Sequence, residues 1–133
     1  MAEFAGITLF DGGSDGVRTK AATAGRIKAH LISGYTLGDS YATVVAASLG
    51  SANLAAADIV SAGASGSSRV TTIASKAITL SAGHAATTLH YAVVDSTSNE
   101  VLAVTPATSD VTPVVSGGVW TSGAVTFTQT QPT

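Results

Sequence analysis

Residues 12 to 16 read Gly-Gly-Ser-Asp-Gly, the G-x-S-x-G spacing of a hydrolase nucleophile elbow. An elbow presents its serine on a sharp strand-to-helix turn and needs an acid and a histidine further along the chain. Here only Ile7 to Phe10 can form the strand, and the following VRTKAATAGRIK holds Gly25 and little apolar periodicity. Asp39 or Asp58 with His84 or His90 satisfies the chain order nominally, but a chain with 16 Ser and 14 Gly meets that spacing readily by chance. Ser14 is therefore read as part of a Gly/Asp turn, and no catalytic residue is assigned. Asp11 and Asp15 fail the calcium-loop pattern because Gly13 occupies the third position and no Glu closes the loop. The Lys-Ser/Thr ending of a phosphate-binding loop is missing from this stretch. His30, His84 and His90 lack metal-ligand spacing and read as outward-facing or locally hydrogen-bonded side chains. The acids are scattered through turns rather than paired for acid-base work. No metal and no cofactor is expected. Trp120, beside Gly117, Gly118 and Gly123, reads as a core plug or interface anchor, ahead of a sugar-stacking role.

The elements that position these residues follow from periodicity. Ile27, Ala29 and Leu31 alternate with Lys28 and His30, as in a half-buried strand that Gly34 ends. Asp39 or Ser40 caps a short helix over YATVVAASL, stopped by Gly50. Strands are expected at Ile59 to Ala62, in RVTTIA and in KAITLSA. TLHYAVVDSTSNEVLAVTPATSD reads as a hairpin in which Leu89, Tyr91 and Val93 share a face and Asp95 to Asn99 turn the chain. Pro106, which cannot donate to a ladder, marks a strand end or an exposed edge. Val111 to Val115, Trp120 and Ala124 to Thr128 complete about seven short strands. The fold class is mainly β: a small antiparallel β-sandwich or barrel-like domain with one short helix and an extended N-terminal arm. Residues 1–25 form that arm or the first strand, and residues 26–133 form a single β domain.

The chain has 133 residues, room for one domain. Its 45% hydrophobic content includes 24 Ala, against 22 Leu, Ile, Phe, Tyr, Trp and Met combined. Small side chains bury little area, so the margin over chain entropy is thin and a partner surface would stabilise the fold. Only 11% of residues are charged and the net charge is −2, which argues against nucleic acid as a partner. There is no Cys, hence no disulfide or zinc knuckle. The N-terminus lacks the layout of a signal peptide and no apolar run is long enough for a membrane span, so a protein made in the cytoplasm is expected, with no membrane partner. Arg18, Lys20, Arg26 and Lys28 crowd the end of the arm. Together with the apolar Leu9 and Phe10 they make the arm, along with Trp120, the candidate interface.

Several blocks resemble small tailed-bacteriophage virion structural proteins. They are FDGGSDGVR, GDSYATVV, AVVDSTSNEVLAVTPATSD, Trp120 and the ending TFTQTQPT. Within them Val94-Asp95 closes a strand, Val101-Leu102-Ala103-Val104-Thr105 resumes one, and Pro132-Thr133 ends the chain. The resemblance implies virion structure without catalysis, in particular a capsid decoration or cement protein on the outer surface of the head. Its partner would be the major capsid protein, and closed symmetry favours a homo-oligomer, a trimer first and a dimer second. The alternatives are a neck, tail or fibre subunit, or a receptor- or glycan-binding module.

Overall fold

The structure, a computed structural model, describes residues 4–5, 16–62, 69–83, 89–107 and 116–129. It is mainly β and antiparallel, an open sandwich. Ten strands are described where about seven are expected: β1 Phe4–Ala5, β2 Ile27–Ile32, β3 Ser48–Asn53, β4 Ile59–Ala62, β5 Arg69–Ile73, β6 Ala77–Thr79, β7 His90–Asp95, β8 Glu100–Pro106, β9 Val119–Thr121 and β10 Val125–Gln129. Helical structure covers residues 16–21 (α1) and Tyr41–Ala46 (α2), with a 3-10 turn at Ala56–Asp58. No helix among the described residues is long and apolar enough to cross a membrane. The expected strand at Val111 to Val115 lies outside the described residues.

The larger sheet runs β1-β8-β7-β2-β3, and two smaller ones run β10-β5-β4 and β6-β9. One core fills the space between them. Ile27, Ala29 and Leu31 of β2 and Tyr91 and Val93 of β7 meet Ile59, Ile73, Ile78 and Trp120 of the smaller sheets. The opposite face of the large sheet is also covered: Ile32, Ala92, Val94 and Val104 pack with Val44 of α2, flanked by Tyr35 and Tyr41. The central strand β7 is therefore buried along its whole length, which is why its sequence reads as a nearly continuous apolar run.

Helix α2 starts where the capping rule places it, with the Ser40 hydroxyl accepting the Thr43 N–H at 3.3 Å. It stops at Ala46, earlier than expected, and Leu49 and Gly50 belong to β3 instead. Strand β3, SLGSAN, carries no β-branched residue and no clean alternation, so tertiary pairing with β2 alone makes it a strand. Gly50 is required there. A Cβ at this position would overlap the Thr79 carbonyl oxygen and press on Leu80, to which Gly50 is bridged. Gly50→Ala should cost about 1–3 kcal/mol by forcing β3 and β6 apart. Chemical denaturation of the variant checks this, and an unchanged midpoint would reject the close approach.

The N-terminal segment departs from an extended arm at both of its described parts. Phe4 and Ala5 pair with Val104 and Ala103 at the edge of the large sheet. Residues 16–21 are helical, and Val17 and Ala21 are buried in the main core. Their i and i+4 spacing puts both on one helix face, a signal that the neighbouring basic residues obscured. Deleting residues 1–25 should therefore prevent folding rather than only attachment. Circular dichroism of the truncated chain tests this, with a fully folded product as the contrary result.

Candidate functional site

Of the candidate interface residues, the fold brings Lys20 and Arg26 together on Asp95. Arg26 Nε donates to both Asp95 carboxylate oxygens at 3.0 and 3.2 Å, and its Nη2 donates to Oδ2 at 3.0 Å. Lys20 Nζ lies 3.9 Å from the same oxygen. The carboxylate also accepts the backbone N–H groups of Thr97 and Ser98 at 3.0 and 3.2 Å, which folds the β7–β8 turn around it. Ser96 continues the joint by donating its hydroxyl to the Arg26 carbonyl at 2.9 Å and its N–H to the same oxygen at 2.8 Å. Burial would raise the Asp95 carboxyl, but the hydrogen bonds from Arg26, Ser98 and Thr97 outweigh it and hold the group at about 2. Two of the four clustered cations thus pin the hairpin turn to the end of the N-terminal segment.

The remaining candidates do not join them. Arg18 lies on the exposed side of α1, and Lys28 is half-buried on the face of β2 opposite the main core. Leu9 and Phe10 lie outside the described residues, as do Ser14, Asp11, Asp15 and His84. Trp120 is 6% exposed and packed in the main core, the core-plug placement.

His30 is buried, with its Nδ1 2.8 Å from the Ser48 hydroxyl. The Ser48 hydroxyl is also within 3.2 Å of the Gly50 carbonyl, and the ring tautomer decides which of the two groups donates in the His30–Ser48 contact. The role of this contact is to clasp β2 to β3. Burial lowers the His30 pKa, and the Lys28 charge lowers it further. The folded state therefore binds this proton less readily than the unfolded chain. Stability from His30 is complete above the unfolded value of about 6.5 and is lost as pH falls below it. Urea midpoints between neutral and mildly acidic pH should decline, and decline less in His30→Gln; equal slopes would contradict the burial argument.

His90 is also buried, its ring centroid 6.1 Å from that of Tyr35. Among the described residues, no three His, Cys, Asp or Glu side chains are grouped to hold a metal ion.

Two features lay beyond sequence reasoning. The first is the outer face of β10-β5-β4. Its register sets Val60, Thr72 and Thr126 in one row and Val70 and Thr128 beside Ala62 in the next. Val60 is 53% exposed, and Thr126 and Thr128 are exposed too, giving a β-branched surface without a charged side chain in these rows. Alternation predicted the strands, but only the register shows which residues share a face. The second is a cavity beside Tyr91 and Trp120, at the end of β8 and the start of β10. Its walls come from four strands and the segments next to them, so no local signal could have found it.

Comparison with protein families, with curated proteins and with solved structures finds no match to this chain.

Proposed function

We propose that this chain is a bacteriophage virion structural protein, a capsid decoration or cement protein that binds the assembled head shell. The observation that carries the reading is the uncharged, β-branched outer face of β10-β5-β4, with Val60 exposed at its edge strand. Interface cores are depleted of charge, and the uncharged rows around Val60 fit that pattern. The resemblance of several sequence blocks to tailed-phage virion proteins suggests the partner class, the major capsid protein. Among the described residues, Leu and Ile supply half of the 22 buried core residues, more than the Ala-rich composition suggested, and binding only the folded form to a lattice would add stability to that form by linkage. A closed trimer, or else a dimer, is the expected oligomer. Nothing in the reading calls for catalysis, a cofactor, nucleic acid or a membrane.

Copy number in purified virions tests the location. Many copies, in fixed proportion to the major capsid protein, are expected. A handful would transfer the protein to the neck, tail or fibre, and none would remove it from the virion. Recombinant protein should also co-sediment with shells that lack it, whereas Val60→Lys, which folds because the position faces water, should not. Equal binding by Val60→Lys would dismiss this face as the attachment surface. Sedimentation velocity of the free protein reports the oligomer.

A further inference from the structure

The cavity encloses about 230 Å³ and is walled by Tyr91, Thr105, Pro106, Trp120, Ser122 and Thr126 among others. Tyr91 is 1% exposed and Trp120 6%, and their ring centroids lie 6.2 Å apart. Among the described residues, neither the Tyr91 hydroxyl nor the Trp120 indole N–H has a hydrogen-bond partner. A buried polar group left without a partner costs about 1–3 kcal/mol, and native proteins keep few of them. Two such groups, on adjacent aromatic side chains that wall one cavity, are an unmet demand for hydrogen bonds at a single place.

We propose that this cavity is a binding site for a single neutral sugar ring. Size is the first argument. The space is smaller than the roughly 300–1,000 Å³ of pockets for drug-sized ligands, yet it would hold several waters at about 30 Å³ each. Charge is the second: no lining residue among the described residues is charged, so an anionic or cationic guest would be desolvated without compensation from them. The third is the mixture of surfaces. The aromatic rings with Pro106, Ala107 and Val125 suit the C–H face of a pyranose, while Thr126 is the exposed polar residue of the wall; the Ser122 hydroxyl is already engaged by the Lys76 N–H and the Gly123 carbonyl. An indole N–H only donates and a phenol both donates and accepts, so hydroxyl groups, which do both, can pair with either. A purely apolar guest would leave both groups unpaired. Because both polar atoms are buried, the two side chains must shift for a guest to engage them, and binding is coupled to a change at the indole.

That coupling supplies the experiment. Trp120 is the sole tryptophan, so the ¹⁵N-labelled full chain gives one indole N–H resonance. Methyl pyranosides of glucose, galactose and mannose are titrated separately, followed by neutral oligosaccharides ending in whichever ring responds. At least one pyranoside should shift the indole signal saturably. A stronger response to the oligosaccharide identifies the terminal unit of a glycan as the natural source, and an equal one identifies the free sugar. Tyr91→Phe should weaken binding by about ten-fold, the loss of one hydrogen bond, while its thermal midpoint holds or rises because the deleted hydroxyl had no partner. Thr126→Lys, at an exposed wall position, should block binding without disturbing the core. No saturable shift with any probe would mean that water alone fills the cavity, and would overturn the proposal. So would wild-type affinity in both variants.

Discussion

Asp95→Ala should destabilise the protein by about 3 kcal/mol at neutral pH, the lower end of the range for breaking a buried ion pair. Three losses coincide. The forked hydrogen bonds from Arg26 disappear, the Thr97 and Ser98 N–H groups lose their acceptor, and the guanidinium is left without its counter-charge. The Asp95 side chain is 0% exposed, but Arg26 keeps 25% of its side chain in water, so the stranded cation can hydrate and the cost stays below the extreme. The same pair makes an acid signature. The folded carboxyl titrates at about 2, below its unfolded value, so the stabilisation is complete above the unfolded pKa and is lost as pH falls through the folded one. Roughly 2 kcal/mol should drain away between about pH 4 and pH 2. Urea unfolding of wild type and Asp95→Asn across that range measures it, since the Asn variant lacks this titration. If the two curves kept a constant separation down to pH 2, the carboxylate would not be held as described.

Leu102→Ala should be comparably damaging, at about 2–5 kcal/mol. The β7–β8 register shifts here: Val94 pairs with Val101 and Val93 with Ala103, so Leu102 is the extra residue of a bulge. The bulge turns both Leu102 and Ala103 into the main core while Val101 packs with the cluster under α2. Leu102 is 1% exposed, and the strands on either side are fixed by ladders, so the cavity left by truncation cannot close easily. Against a total of about 5–15 kcal/mol, that is a large share of the stability. The thermal midpoint should drop by roughly 10 °C. Calorimetry reads it directly, and a midpoint within about 2 °C of wild type would mean that the bulge had been assigned to the wrong face.

The sequence by itself determined the class of fold and the elements whose residues carry their own instructions. Alternation in IKAHL and RVTTI, the shared face of Leu89, Tyr91 and Val93, the turn chemistry of Asp95 to Asn99 and the Ser40 cap act between near neighbours, and these strands, this turn and the start of α2 stand where their patterns predict. Pro106 ends β8 because it lacks the N–H that another ladder bond would need. What depends on distant partners was settled only in three dimensions. SLGSAN is a strand because β2 pairs with it, and Gly50 is tolerated because the backbone of β6 and Leu80 comes too close for a side chain. Two members of the basic cluster that reads as a free arm, Lys20 and Arg26, are used internally, since Asp95 lies 69 residues beyond Arg26 and no local pattern links them. Trp120 faces Tyr91 across the core for the same reason: the ladder β6-β9 and the sheet β1-β8-β7-β2-β3 set that meeting, and local propensity has no reach over such separations.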